Sequence, residues 1–164
     1  MIGSRSTRAV TSMSGSRVLV FVVLILIAGV ATCSREQTSQ GTGASLPAPP
    51  DVAAPPAGSL RTTSGLSTLV LQPGAGTRHP RPSDRVTVHY TGWTTDGKMF
   101  ESSLSSQPAS FAVSEVIPGW TEGLQLMVEG EKRRFWIPES LAYKGQSGSP
   151  QGMLVFDVEL IKIN

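Results

Sequence analysis

The chain of 164 residues contains one cysteine, Cys33, and two histidines, His79 and His89. A single thiol excludes a disulfide within the chain. Two histidines and scattered carboxylates form neither a metal-ligand spacing nor a Ser-His-Asp or Cys-His set, so no metal and no cofactor is expected. Aromatic residues are scarce at 6% of the chain, and nearly all of them fall in its second half. The first half is instead low in complexity and rich in Pro, Gly, Ser and Thr, which places one ordinary folded domain toward the C-terminus.

An excess of one charge is also missing from most of the chain. The net charge is +2 and the pI about 9.0, but Arg5, Arg8 and Arg17 all precede the apolar run Val18–Ala31. Without them the basic residues number 11 against 12 acids. From Thr63 onward the two signs are interspersed with no basic stripe, so no nucleic-acid partner is expected. Gly74-Ala75-Gly76 reads as a turn, because neither a lysine nor a helical pattern follows it as a phosphate loop would need.

Three arginines, a short apolar run and then small residues make an export signal over residues 1–32. The run is also shorter than the about 20 residues of a typical spanning helix. Val30-Ala31-Thr32-Cys33 resembles the lipobox of bacterial lipoproteins, which makes Cys33 the expected lipid-attachment residue and the cell envelope the expected location. Thr32 departs from the small residue usual before that cysteine. Residues 33–62 have too few large apolar side chains to offset the entropy of ordering and are expected to be a disordered tether, leaving the domain at 63–164.

Within that domain, Leu66–Leu71 reads as a strand. Arg85–Thr91 alternates so that Val86, Val88 and Tyr90 share one face. Thr95-Asp96-Gly97-Lys98 reads as a hairpin turn leading into Met99-Phe100-Glu101. Pro108–Val113 is a further strand, with Phe111 and Val113 on one side. Pro118 then suits the first turn of a helix whose Trp120, Leu124 and Met127 form one apolar stripe ended by Gly130. Lys132–Pro138 and Leu154–Leu160 alternate again, the latter with Leu154, Phe156, Val158 and Leu160 inward. Antiparallel strands and one short helix predict an α+β domain, its sheet wrapped over the helix.

Five segments occur in order: Val88-His89-Tyr90-Thr91-Gly92, Asp96-Gly97-Lys98-Met99-Phe100-Glu101-Ser102-Ser103, Val116-Ile117-Pro118-Gly119-Trp120, Leu141-Ala142-Tyr143 and Leu154–Leu160. Together they resemble the motifs of the FKBP-type (macrolide-binding) peptidyl-prolyl cis-trans isomerases. The stretch Phe111–Met127 is most similar to the bacterial macrophage-infectivity-potentiator-like group. The resemblance implies an isomerase acting on X–Pro bonds of proline-containing polypeptide clients. It implies a catalytic set of Tyr90, Phe100, Glu101, Trp120 and Tyr143, with Phe111, Val116, Ile117 and Phe156 binding substrate. The substrate proline would rest on the indole of Trp120, and the Ile117 amide would hold a substrate carbonyl. Glu101 stands where an Asp is usual, Ala109 where the best-known members have a pocket aromatic, and Lys144–Met153 is a shortened loop. The last two changes imply weakened binding of macrolide inhibitors. The alternative is a non-catalytic module of the same fold that binds proline-containing segments or acts as a chaperone.

Overall fold

Alternating apolar and polar residues build two long central strands, β3 (Arg85–Thr94) and β7 (Leu154–Ile163), in a computed structural model that describes residues 45–164. The export signal and Cys33 lie outside the described residues. Around this pair stand β1 (Leu60–Arg61), β2 (Ser67–Gln72), β4 (Met99–Ser102), β5 (Ala109–Ala112) and β6 (Lys132–Ile137). All pairings are antiparallel, in the order β1-β2-β6-β7-β3-β4, and β5 also pairs with β3. The expected hairpin turn joins β3 to β4, with Gly97 at φ 84°. The α+β architecture read from the sequence is the observed one. Among the described residues no helix is long and apolar enough to cross a membrane.

The inner face of the sheet holds the core: Val86, Val88, Phe135, Ile137, Val158 and Leu160 are buried around the helix α1 (Pro118–Leu124). A seven-residue helix is too short to persist alone in water, so packing must hold it. Pro118 presets φ at its first position, and Trp120 and Leu124 face inward from one side. Gly119 and Gly123, one turn apart, let the helix lie directly on β6. A Cβ at Gly123 would come within 2.7 Å of the Phe135 ring, and one at Gly119 would collide with Ile137.

Two expectations are corrected. The helix does not run to Gly130: it ends at Leu124, after which the Leu126 and Met127 amides turn back to the carbonyls of Gly123 and Leu124, both at 3.1 Å. Met127 still reaches the core at 0% exposure, because burial and not helical geometry sets its position. Gly130, at φ 81°, instead serves the turn into β6.

The segment expected to be a disordered tether is also in part ordered. Residues 46–51 lie against the outer face of the sheet, where the Trp93 and Trp136 indoles donate to the carbonyls of Leu46 (3.3 Å) and Asp51 (3.0 Å). Asp51 also pairs with Arg134. Buried indole N–H groups need acceptors, and a proline-rich backbone, with its carbonyls unused by secondary structure, offers them. The chain then adds β1 to the sheet edge before the expected domain start at residue 63.

Candidate active site

Strand alternation turns Tyr90 of β3 and Phe156 of β7 to the inner face, and the first turn of α1 places Trp120 between them. The Trp120 indole, 4% exposed, meets three rings edge-on: Tyr90 at 5.2 Å and 87°, Phe156 at 5.4 Å and 89°, and Phe111 of β5 at 5.7 Å and 85°. Such pairs contribute about 0.5–1.5 kcal/mol each beyond the area they bury. The rings form an aromatic box open on one side.

Above the box is a cavity of about 320 Å³. Tyr90, Phe111, Val116, Ile117, Trp120, Tyr143 and Phe156 line it, with the carboxylates of Glu101 and Glu115. The structure thus brings together eight of the nine expected pocket residues. Phe100 is the exception. It packs edge-on against Phe156 at 5.5 Å and is not among the lining side chains. Both rings crowd Gly92, where a Cβ would come within 2.7 Å of each, so only glycine lets them close over β3.

The Tyr90 hydroxyl donates to Glu101 Oε1 at 2.7 Å, so the longer Glu side chain reaches the phenol from β4. Burial, reinforced by that hydrogen bond, holds the Tyr90 phenol well above its ordinary pKa. Burial and then the Glu101 charge also raise Tyr143. Both hydroxyls therefore remain neutral donors through physiological pH. Among the described residues the Ile117 amide, just before the helix, donates to no protein acceptor, and the buried Trp120 indole nitrogen also lacks a partner.

Sequence reasoning did not assign a role to Glu115. Its only signal was its place directly before Val116-Ile117, since an exposed carboxylate carries no periodicity. Gly92 was also missed as a packing residue, because the two rings it admits come from separate strands. No group of three or more His, Cys, Asp or Glu side chains gathers to hold a metal among the described residues. Among the described residues no Ser, Thr, Cys or Lys side chain lines the cavity. The arrangement can seat a small apolar ring and offer hydrogen bonds around it.

A sheet wrapped over one short helix, with an aromatic box at the helix start, defines a pocket protein for compact apolar groups. The sequence profile of the FKBP-type peptidyl-prolyl cis-trans isomerases matches residues 76–161, just over half of the chain. The chain belongs to that family. It is similar to the FKBP-type peptidyl-prolyl cis-trans isomerase FkpA of Aeromonas hydrophila, with 49% identity over 107 residues, 62% of this chain and 39% of that protein. It is also similar to the outer membrane protein MIP of Legionella longbeachae, with 45% identity over 105 residues, 61% of this chain and 45% of the other. A solved structure of a peptidyl-prolyl cis-trans isomerase from Pseudomonas syringae pv. tomato superposes with a TM-score of 0.61 at 38% identity, covering 66% of this chain and 83% of that one. The chain spans less than half the length of the two curated relatives.

Proposed function

We propose that the chain catalyses cis-trans isomerisation of X–Pro bonds in exported, proline-containing polypeptides. The observation that carries this is the Trp120 indole set beneath a 320 Å³ cavity and walled edge-on by Tyr90, Phe111 and Phe156. Rotation about an X–Pro bond meets a barrier of about 18–20 kcal/mol from amide resonance, and uncatalysed exchange takes roughly tens to hundreds of seconds. No covalent bond has to break. In the twisted amide the carbonyl is less polarised than in the planar one, so an apolar, water-poor pocket favours the twisted form. A thousandfold acceleration needs only about 4 kcal/mol of such preference.

In this reading the proline ring rests on Trp120 against Phe111, Val116 and Phe156, and the Ile117 amide donates to a substrate carbonyl. The Tyr90 and Tyr143 hydroxyls face the reacting amide. Glu101 orients Tyr90, and Phe100 supports Phe156 from behind. Macrolides bind the same pocket with weakened affinity.

The same reading takes residues 1–32 as a cleaved export signal and Cys33 as the lipid attachment, so that the domain works in the cell envelope. The basic, apolar and small-residue order of the N-terminus supports it, as does the outer-membrane name of the Legionella relative. The decisive experiment adds the full chain, in detergent, to a protease-coupled assay on short X–Pro peptides. Accelerated exchange, greatest with a bulky apolar residue before proline, is expected. Exchange at the buffer rate by protein shown to be folded would assign the pocket to a non-catalytic binding module.

A further inference from the structure

The face of the sheet opposite the catalytic pocket carries a second aromatic arrangement. Trp93 of β3, Val155 of β7 and Trp136 of β6 stand in register across three strands, at 4%, 0% and 0% exposure. In the next row along the same face, Thr91, Asp157 and Arg134 are in register. Outward-facing residues of a sheet normally meet water, yet these tryptophans are buried. Among the described residues, the segment Leu46-Pro47-Ala48-Pro49-Pro50-Asp51 lies against them.

The contacts are of a recognition type. Each indole N–H donates to a segment carbonyl, Trp93 to Leu46 and Trp136 to Asp51. Ala48 lies at the β3–β4 turn, close enough that a Cβ on Gly97 would be 3.4 Å from its own. The Asp51 carboxylate pairs with Arg134, which Asp157 holds in a two-pronged bond at 2.5 and 2.8 Å. The Arg134 guanidinium in turn lies 5.9 Å from the Trp136 ring centre. Aromatic grooves with indole donors suit proline-rich backbone, which brings little conformational entropy to lose; here it runs without secondary structure from Leu46 to Pro49 and then turns, the Val52 amide donating to the Pro49 carbonyl at 3.1 Å. Beyond Leu46 and Pro47 the face continues as a groove of about 220 Å³ past Thr91, His89 and Glu159.

We propose that this outer face is a second, non-catalytic binding site for a proline-rich segment that closes in a turn bearing a carboxylate, occupied in cis by residues 46–51. The occupied site acts as a latch that takes up residues 46–51 of the segment leading into the domain. Proline-rich sequence is thus held on one face, while the isomerase pocket opens on the other.

The test uses the indole N–H signals of the ¹⁵N-labelled full chain in detergent, with Trp120 as an internal reference. In a variant with residues 46–51 replaced by glycine and serine, the Trp93 and Trp136 indole protons are expected to exchange at least tenfold faster. A free peptide of residues 45–57 is expected to slow them again, saturably. Unchanged rates in the variant would show that the segment does not cover this face in solution. A peptide without effect at millimolar concentration would show that the face does not recognise the segment; either result overturns the proposal. Should the replacement prevent folding, Asp51→Ala in the intact chain decides in the same way. At least threefold faster exchange at Trp136, reversed by the peptide, is expected, and no change or no reversal overturns it.

Discussion

Tyr90 Oη and Glu101 Oε1 are joined by a 2.7 Å hydrogen bond between adjacent strands, and that bond sets the polarity of an otherwise apolar wall. Removing the hydroxyl with Tyr90→Phe leaves the ring contacts and frees a carboxylate that solvent can reach. Stability should fall by about 1 kcal/mol or less, because Glu101 can rehydrate. Turnover of X–Pro peptides should drop about three- to tenfold. A thermal melt beside the coupled assay measures both, and wild-type turnover would remove Tyr90 from the chemistry.

Both phenols are held above their ordinary value of 10 in the folded protein. A raised pKa means that the unfolded chain loses its proton first, so stability is fully present below pH 10 and declines as pH rises above it. Denaturation midpoints should be insensitive to these groups at neutral pH and fall above about pH 10, with a shallower fall in Tyr90→Phe. Phenolate absorbance followed on the folded protein should appear later than in denaturant.

Trp120 forms the floor of the pocket and meets three rings. Trp120→Leu keeps an apolar side chain but gives up those contacts and leaves space below the cavity. A loss of about 2–4 kcal/mol in stability is expected, with at least a tenfold fall in turnover. Urea denaturation and the coupled assay check this, and full activity would move the substrate ring elsewhere.

Gly92→Ala would set a Cβ 2.7 Å from both Phe100 and Phe156. Relieving that overlap moves the aromatic wall, at a cost of about 1–3 kcal/mol. Activity should fall although no lining side chain is changed. Unaltered stability together with unaltered activity would show that the two rings shift freely.

Membrane attachment is expected to depend on Cys33, since acyl chains persist after the signal is removed. Mass spectrometry of membrane-extracted protein should find a lipid-modified Cys33 as the first residue. An intact Met1 with a free Cys33 would show instead an uncleaved N-terminal anchor.

Rapamycin-like ligands should bind with reduced affinity, because the loop Lys144–Met153 contributes no side chain to the cavity lining. A missing rim of about 100 Å² corresponds to roughly 2–3 kcal/mol, or between one and two powers of ten in Kd. Titration against a variant with a longer apolar loop tests this. Equal affinities would place nearly all the binding energy at the floor around Trp120.

The inner half of this protein was legible in local patterns of the chain. Period-two patterns in β3 and β7 put Tyr90 and Phe156 on the core face, and Pro118 with Trp120 and Leu124 marked the helix, since local periodicity is imposed by one-sided burial. The motif resemblance located Glu101, Val116, Ile117 and Tyr143, which have no periodicity of their own. The remaining features arise from contacts between distant parts of the chain. The helix stops at Leu124, and Met127 is buried through a turn. Alternation in β6 sets Trp136 on the side of Lys132 and Arg134, opposite Phe135 and Ile137. Its burial depends on Asp51, 85 positions away in the chain, arriving on a proline-rich segment that has no apolar pattern to announce it. Long-range pairing of two indole donors with carbonyls that no secondary structure consumes is a property of the folded surface, and no local window of sequence contains both partners.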